Sequence, residues 1–408
     1  METREVKLGN IVKHNKGYAF KSSEYTDEGV MVVRVTDFTL DSISDADAVY
    51  LAPDDKYDKF ILKTNDILIQ TVGSWANNPN SIVGKVVRVP KQCDDAYLNQ
   101  NIVRIIPNND FDNTYLFYAL KANQFSTYCV LRGQGAANQA SITLDTIFRF
   151  KFKAHTFNEQ KRIAGILSTY DNLIENNNKR IRLLEQMAEN LYKEWFVRFR
   201  FPGYEHIKFI DGIPSDWQIL RMCDFCYVTD GTHDTPKHVN EGGVPLVTGK
   251  CIKNGFIDFN EPYNISYQDH ESISKRSGLQ TGDILFSNIG TVGTTCLVNY
   301  DRDFSVKNVI IFKPDNTEIS NYLYSWLNSD SIQAIFATQT NGASQQFVGL
   351  NFMRRFKILV PNENVLALYS DRIKPIRAEI VKLHDINNNL IKQRDMLLPR
   401  LMSGKLEV

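Results

Sequence analysis

The sequence predicts an α+β chain made of two tandem, pseudo-symmetric globular units, each leading into a long helix, and three observations carry that expectation. The second half of the 408 residues repeats the first in ordered blocks. Each copy closes with an apolar stripe at heptad spacing. Within each copy, short β-rich runs alternate with turn residues before a short helix, the pattern of a twisted sheet carrying helices.

In copy one NDILIQTVG (65–73) stands where copy two has GDILFSNIG (282–290). NQNIVRIIPNND (99–110) matches VKNVIIFKPDNT (306–317), and RGQGAANQASITLDTIFRFKF (132–152) matches TNGASQQFVGLNFMRRFKI (340–358). The offset is 217 between Asp66 and Asp283 but 207 between Asn101 and Asn308, so copy one carries a longer loop around GSWANNPNSIVGKVVRVPKQC. Strands are expected at VMVVRV (30–35), DILIQT (66–71), SIVGKVVRV (81–89) and NIVRII (101–106), with a helix around YLFYALKA. The two prolines and two glycines of PGYEHIKFIDGIP (202–214) mark the linker into copy two.

The stripe of the first long helix runs Ile163, Leu167, Tyr170, Ile174, Asn177, Ile181, Leu184, and on through Ala188, Leu191 and Trp195. That of the second runs Ile373, Ile376, Ile380, Leu383, Asn387, Leu390, with Arg394 also in the stripe. Steps of three and four sustained over about five heptads exceed an ordinary globular helix and point to a coiled coil. Both stripes are interrupted by an asparagine triplet, 176–178 and 387–389. A polar residue in a seam costs stability but specifies register and partner, so the paired triplets suggest two helices shaped for each other or for a common partner.

Composition narrows the function. Hydrophobic content of 43% with 23% charged residues excludes a disordered or fibrous chain. No apolar run approaches the roughly 18 residues of a membrane span, and the charged start METREVKLGN lacks the apolar core of a secretory signal, so a cytoplasmic protein without membrane partners is expected. Six irregularly spaced cysteines are expected as reduced thiols. The balance of 47 basic and 47 acidic residues, taken alone, speaks against a nucleic-acid binder.

Catalytic signatures are missing. GGVPLVTGKC (242–251) has the wrong glycine spacing for a phosphate-binding loop and a cysteine where a hydroxyl must ligate magnesium. Cys223 and Cys226 form a single CxxC with no second ligand pair, and the seven histidines make no HExxH. No methyl-donor loop or NPPY-type sequence appears. The expectation is a chain with no catalytic residue, no metal and no cofactor of its own.

What remains is recognition equipment in loops that recur in both copies. Asn and Gln suit adenine, Arg suits guanine, Lys suits phosphate, and short polar side chains reach either. In TVGSWANNPN (71–80) and the strand after it, the candidates are Ser74, Trp75, Asn77, Asn78 and Lys85; in RGQGAANQAS (132–141) they are Arg132, Gln134, Asn138 and Gln139. In copy two DGTHDTPKH (230–238) offers Thr232, His233, Asp234, Thr235 and Lys237. SNIGTVGTT (287–295) offers Asn288 and Thr291, the following block Lys307, and TNGASQQFVG (340–349) Asn341, Ser344, Gln345 and Gln346.

The double copy, the GDILFSNIGTVG run, GTHDTP at 231–236, and NEQKRIAGILSTYDNLIENN (158–177) with Glu159, Gln160 and Ile163 resemble the specificity subunit of type I restriction-modification systems over the whole chain. Two departures stand out: copy one has KGYAFKSSEY (16–25) where a GTHDTP-type loop is expected, and the second helix lacks the Glu-Gln start. The resemblance implies two target-recognition domains, 1–156 and 201–361, and two conserved helices, 157–200 and 362–408, pairing as an antiparallel coiled coil. It further implies that each domain reads one half of a split site in double-stranded DNA while the helices set the gap, that two modification (methyltransferase) subunits bind S-adenosylmethionine and flip the adenine, and that restriction subunits use ATP and Mg. Net neutrality is then no obstacle, because the partners supply much of the phosphate neutralisation. A scaffold whose two modules bind proteins is the alternative; it predicts no salt-dependent DNA binding.

Overall fold

The computed structural model describes residues 3–39, 42–75, 81–136, 139–340 and 347–408. Contacts divide the chain into two units, Met1–Asn177 with Asp385–Val408, and Asn178–His384.

In the first unit a four-stranded antiparallel sheet has the order Val12–Lys16, Ile102–Pro107, Ile67–Gln70, Val86–Arg88. A three-stranded sheet, Val49–Leu51, Val30–Val33, Tyr97–Leu98, covers one face. Helices Asn113–Lys121 and Asn123–Arg132 cover the other. Alternation sorts the side chains: Ile67, Ile69, Val103 and Ile105 pack with the helices, whereas Leu68, Val87 and Ile102 pack with Val32, Val33 and Tyr97. Both faces are therefore buried, which is why the DIL strand reads as an unbroken apolar run instead of an alternating one. The strand expected over 81–89 is shorter because Gly84 takes φ +79° against the Cys129 side chain, and pairing begins only at Val86.

The second unit repeats this plan. Its four-stranded sheet runs Tyr227–Asp230, Val309–Lys313, Ile284–Ser287, Thr295–Leu297, and its three-stranded sheet Tyr263–Ile265, Val244–Val247, Ser305–Val306. Ile284, Phe286, Ile310 and Phe312 face one core; Leu285, Cys296, Val309 and Ile311 face the other. The copies differ after the edge strand of the small sheet. There copy one has the 3-10 turn Asp55–Phe60 and copy two the helix Tyr267–Ser277. The stretch expected as a linker forms a hairpin, Phe209–Ile210 with Ile213–Pro214.

Two long helices, Phe157–Tyr192 and Glu363–Met402, traverse the division between units. At the start of the first, the Glu159 carboxylate accepts from the Thr156 amide at 3.0 Å and from the Thr156 hydroxyl at 2.8 Å. Gln160, almost wholly buried, donates to the His155 carbonyl and accepts from the Asp112 amide, each at 2.9 Å, and so welds the helix to its globule. The second starts instead from Asn362, which caps the Val365 amide at 2.9 Å. In the first unit Ile163 and Leu167 pack in one core with Leu398 and Leu401, while Tyr170, Ile174 and Leu390 are half-buried. The Asn177 amide donates to the Asn387 side-chain oxygen at 2.9 Å, and Arg394 pairs with Asp171 at 2.7 Å. Six residues back along one helix meet seven forward along the other, so the two run antiparallel. In the second unit Ile373 and Leu383 are buried, Ile376, Ile380, Ile181 and Leu184 are half-buried, and Arg180 pairs with Glu379 at 2.7 Å.

Candidate nucleic-acid interface

Sheet register gathers the recurring loops. In copy one Lys16 lies across from Val103, Gln70 from Ile102, and Val86 from Ile69. The loops after Lys16 and Gln70 and the turns before Ile102 and Val86 therefore share one end of the sheet. Copy two matches this, with Asp230 across from Ile310, Ser287 from Val309 and Phe286 from Thr295. In copy one the third loop joins them, since Val72–Gly73 pairs with Gln139–Ser141, which pairs in turn with Gln134–Ala136. In copy two Ile289 bridges Phe347 in the same manner.

Buried polar side chains shape these loops from below. Gln70, fully buried, donates to the carbonyls of Val72 (2.8 Å) and Ser81 (3.1 Å). Thr71 donates through its amide and hydroxyl to the Asn101 carbonyl, each at 2.9 Å. Gly73 fits because any Cβ there would stand 2.3 Å from the Ser81 oxygen. Trp75 is half-buried against the core, Ser74 is half-buried, and Gln134 and Gln139 are exposed. Arg132 is exposed, its guanidinium 4.1 Å from the centre of the Tyr128 ring.

The copy-two loop is a closed polar cluster. His233 bonds through Nε2 to the Asp230 carboxylate and through Nδ1 to the Asn308 side-chain oxygen, both at 2.9 Å. Arg276 reaches the same carboxylate at 3.3 Å and also donates to the Gly231 carbonyl. The Lys307 ammonium donates to the Thr235 hydroxyl. Asp234, Thr235, Lys237 and Thr291 are exposed, and Lys307 is half-buried.

Burial corrects part of the sequence expectation. Lys85, Thr232 and Asn288 are each more than nine-tenths buried, so they serve the loops' architecture rather than present themselves to a base edge. The Thr232 hydroxyl accepts from the Asp234 amide at 3.1 Å, and the Asn288 amide donates to the Val348 carbonyl at 3.3 Å. His233 is exposed but has both ring nitrogens engaged within the protein. Asn77, Asn78, Asn138, Asn341, Ser344, Gln345 and Gln346 lie outside the described residues. The sequence reading passed over Asp230, Asn308 and Arg276, which hold the copy-two loop. Their signal is faint: an acid ending a strand, and an Asn that the structure shows at φ +52°.

The departure in copy one also resolves. A Cβ on Gly17 would lie 1.9 Å from the Asn99 oxygen, and one on Gly231 2.1 Å from the Val306 oxygen. Tyr18 bridges Asn99 as Thr232 bridges Lys307. KGYAF and DGTHD are thus the same structural loop with different side chains.

A family model described as the type I restriction modification DNA specificity domain matches residues 1–186 and 214–394, one segment per copy. The chain belongs to this family. Among curated specificity-family proteins, the type I restriction enzyme MjaVIII specificity subunit of Methanocaldococcus jannaschii is 24% identical, covering 99% of this chain and 92% of that one. The HindI specificity subunit of Haemophilus influenzae is 21% identical over 85% of this chain and 88% of that one. The crystal structure of a type I restriction-modification S subunit from M. genitalium superposes with a TM-score of 0.57 at 16% identity, covering 98% of this chain and 96% of that one. The specificity fold is therefore two α+β domains and a pair of long antiparallel helices. No helix among the described residues is long and apolar enough to cross a membrane. Burial pushes the thiols of Cys129, Cys226 and Cys296 up to about 12 and that of Cys93 to about 11, which disarms them as nucleophiles.

Proposed function

We propose that this chain is the DNA-recognition subunit of a type I restriction-modification complex. Its two target-recognition domains, over 1–156 and 201–361, each read one half of a bipartite site in double-stranded DNA. The observation that carries this reading is the repetition, in both matched segments, of one strand order that delivers equivalent loops to one end of the sheet. One strand order carrying chemically different loops suits two different half-sites.

The chain itself performs no covalent step. Two methyltransferase subunits, carrying S-adenosylmethionine, flip and methylate adenine, and restriction subunits bring ATP- and Mg-dependent translocation and cleavage. The helices over 157–200 and 362–408 space the domains so that both half-sites are met on one duplex, whose repeat is about 34 Å. The complex works in the cytoplasm. In this role the chain's net charge of zero gives weak DNA binding alone and strong, salt-sensitive binding once the partners add their phosphate contacts.

Long-read methylome sequencing of cells with and without the gene tests the reading. Loss of one bipartite methylated-adenine sequence is expected. If every methylated sequence persists, or if chain plus methyltransferase subunit binds DNA with no salt dependence, the chain is a protein scaffold instead.

A further inference from the structure

Copy one carries an aromatic feature with no counterpart in the copy-two loop. Tyr18, 41% exposed, sits where copy two has buried Thr232, at the loop end of the four-stranded sheet. Its ring rests on three buried rings, with centroids 5.1 Å from Phe20, 5.2 Å from Tyr57 and 5.2 Å from Phe60. Tyr57 and Phe60 come from the 3-10 turn Asp55–Phe60, which takes the place of the copy-two helix whose Arg276 braces its own loop. Below, the Tyr18 amide donates to the Leu98 carbonyl at 2.9 Å, and Gly17 presses its backbone against Asn99. Backbone and ring are both fixed before any ligand arrives, so little conformational entropy remains to be lost on contact. Lys16, Lys21 and Lys59, all exposed, flank it in sequence or beside the Phe60 ring.

We propose that Tyr18 is a specificity-determining contact of copy one: its ring face and hydroxyl meet the bases of the copy-one half-site, and Lys16 and Lys21 hold the adjoining phosphates. This rests on the DNA-recognition reading above and assigns part of it to named atoms. A rigid exposed aromatic gives stacking or apolar contact with a base together with one hydroxyl donor, while lysines add sequence-independent attraction.

The test uses the full chain with its methyltransferase subunits in cells, read by methylome sequencing. Wild type gives a bipartite motif. For Tyr18→Ala the copy-one half is expected to become degenerate, or methylation to fall roughly 10-fold, while the copy-two half and the gap stay unchanged. Tyr18→Phe, which keeps the ring and its packing, should lie between the two and serves as the folding control. Lys16→Gln with Lys21→Gln should leave the motif intact and lower the salt slope of DNA binding by the assembled complex by up to about 2. An unchanged motif and extent in Tyr18→Ala overturns the role of Tyr18, and an unchanged salt slope overturns that of the lysines. A change in the copy-two half would overturn the assignment to copy one. If wild type yields no bipartite motif, the functional reading itself fails and the inference goes with it.

Discussion

Replacing Arg394 with Met should destabilise the first unit through a single uncompensated charge. The Arg394 side chain is 4% exposed and lies 2.7 Å from the Asp171 carboxylate, itself 16% exposed. Asp171 also accepts from the Tyr118 hydroxyl, and Arg88 stands off at 3.9 Å. At an effective dielectric near 20, a pair about 4 Å apart is worth about 4 kcal/mol before desolvation, and breaking a buried pair from one side typically costs about 3–5 kcal/mol. The second cation and the residual exposure of Asp171 place the expected loss near the lower end, about 3 kcal/mol. At about 1.4 kcal/mol per decade this is on the order of 100-fold faster amide exchange across 157–177 and 385–402, read by hydrogen-exchange mass spectrometry. Asp171→Asn with Arg394→Met removes both charges while keeping an acceptor for the Tyr118 hydroxyl, and should return to within about 1 kcal/mol of wild type. A single-variant loss below about 1 kcal/mol, or a double variant no better than the single, would show that this pair is not what holds the two helices together.

Other substitutions probe the seam, the loops and the helix junction. Asn177→Ile with Asn387→Leu exchanges a buried amide pair for apolar packing and should raise the melting temperature by about 2–4 °C per kcal/mol gained; scanning calorimetry decides, and a lower value would mean the asparagines stabilise the seam outright. Gly17→Ala and Gly231→Ala each drive a methyl into a carbonyl oxygen, so both should lower the melting temperature and the protein yield. Gly165→Ala, in the helix with nothing within 4 Å, should gain about 0.5–1 kcal/mol in urea unfolding. Burial holds the His155 imidazole below its usual value, beside the Tyr115 hydroxyl at 2.8 Å. The unfolded chain therefore takes up a proton first, and stability that is full above about pH 6.5 declines as the pH falls toward the folded value. His155→Gln should flatten that decline in urea titrations between about pH 7 and 5.

The sequence by itself determined the duplication, the mixed α+β character of each copy, and the two long helices. Each is written in residues close together in the chain: an apolar run bounded by turns, or a stripe repeating every three and four positions, survives whatever the rest of the molecule does. Which polar residues face outward was a matter for the tertiary structure, because burial is imposed by distant segments. Asn288 is covered through Val348, and His233 is tied to Asn308, 75 residues on. Asp171 meets a cation 223 residues away, which no local spacing could signal. Tyr18 reads as one aromatic among several in KGYAF, and only the placing of Tyr57 and Phe60 beneath it sets the ring as an exposed platform. Periodicity specifies elements; the ends of a folded sheet bring together the side chains able to do the reading.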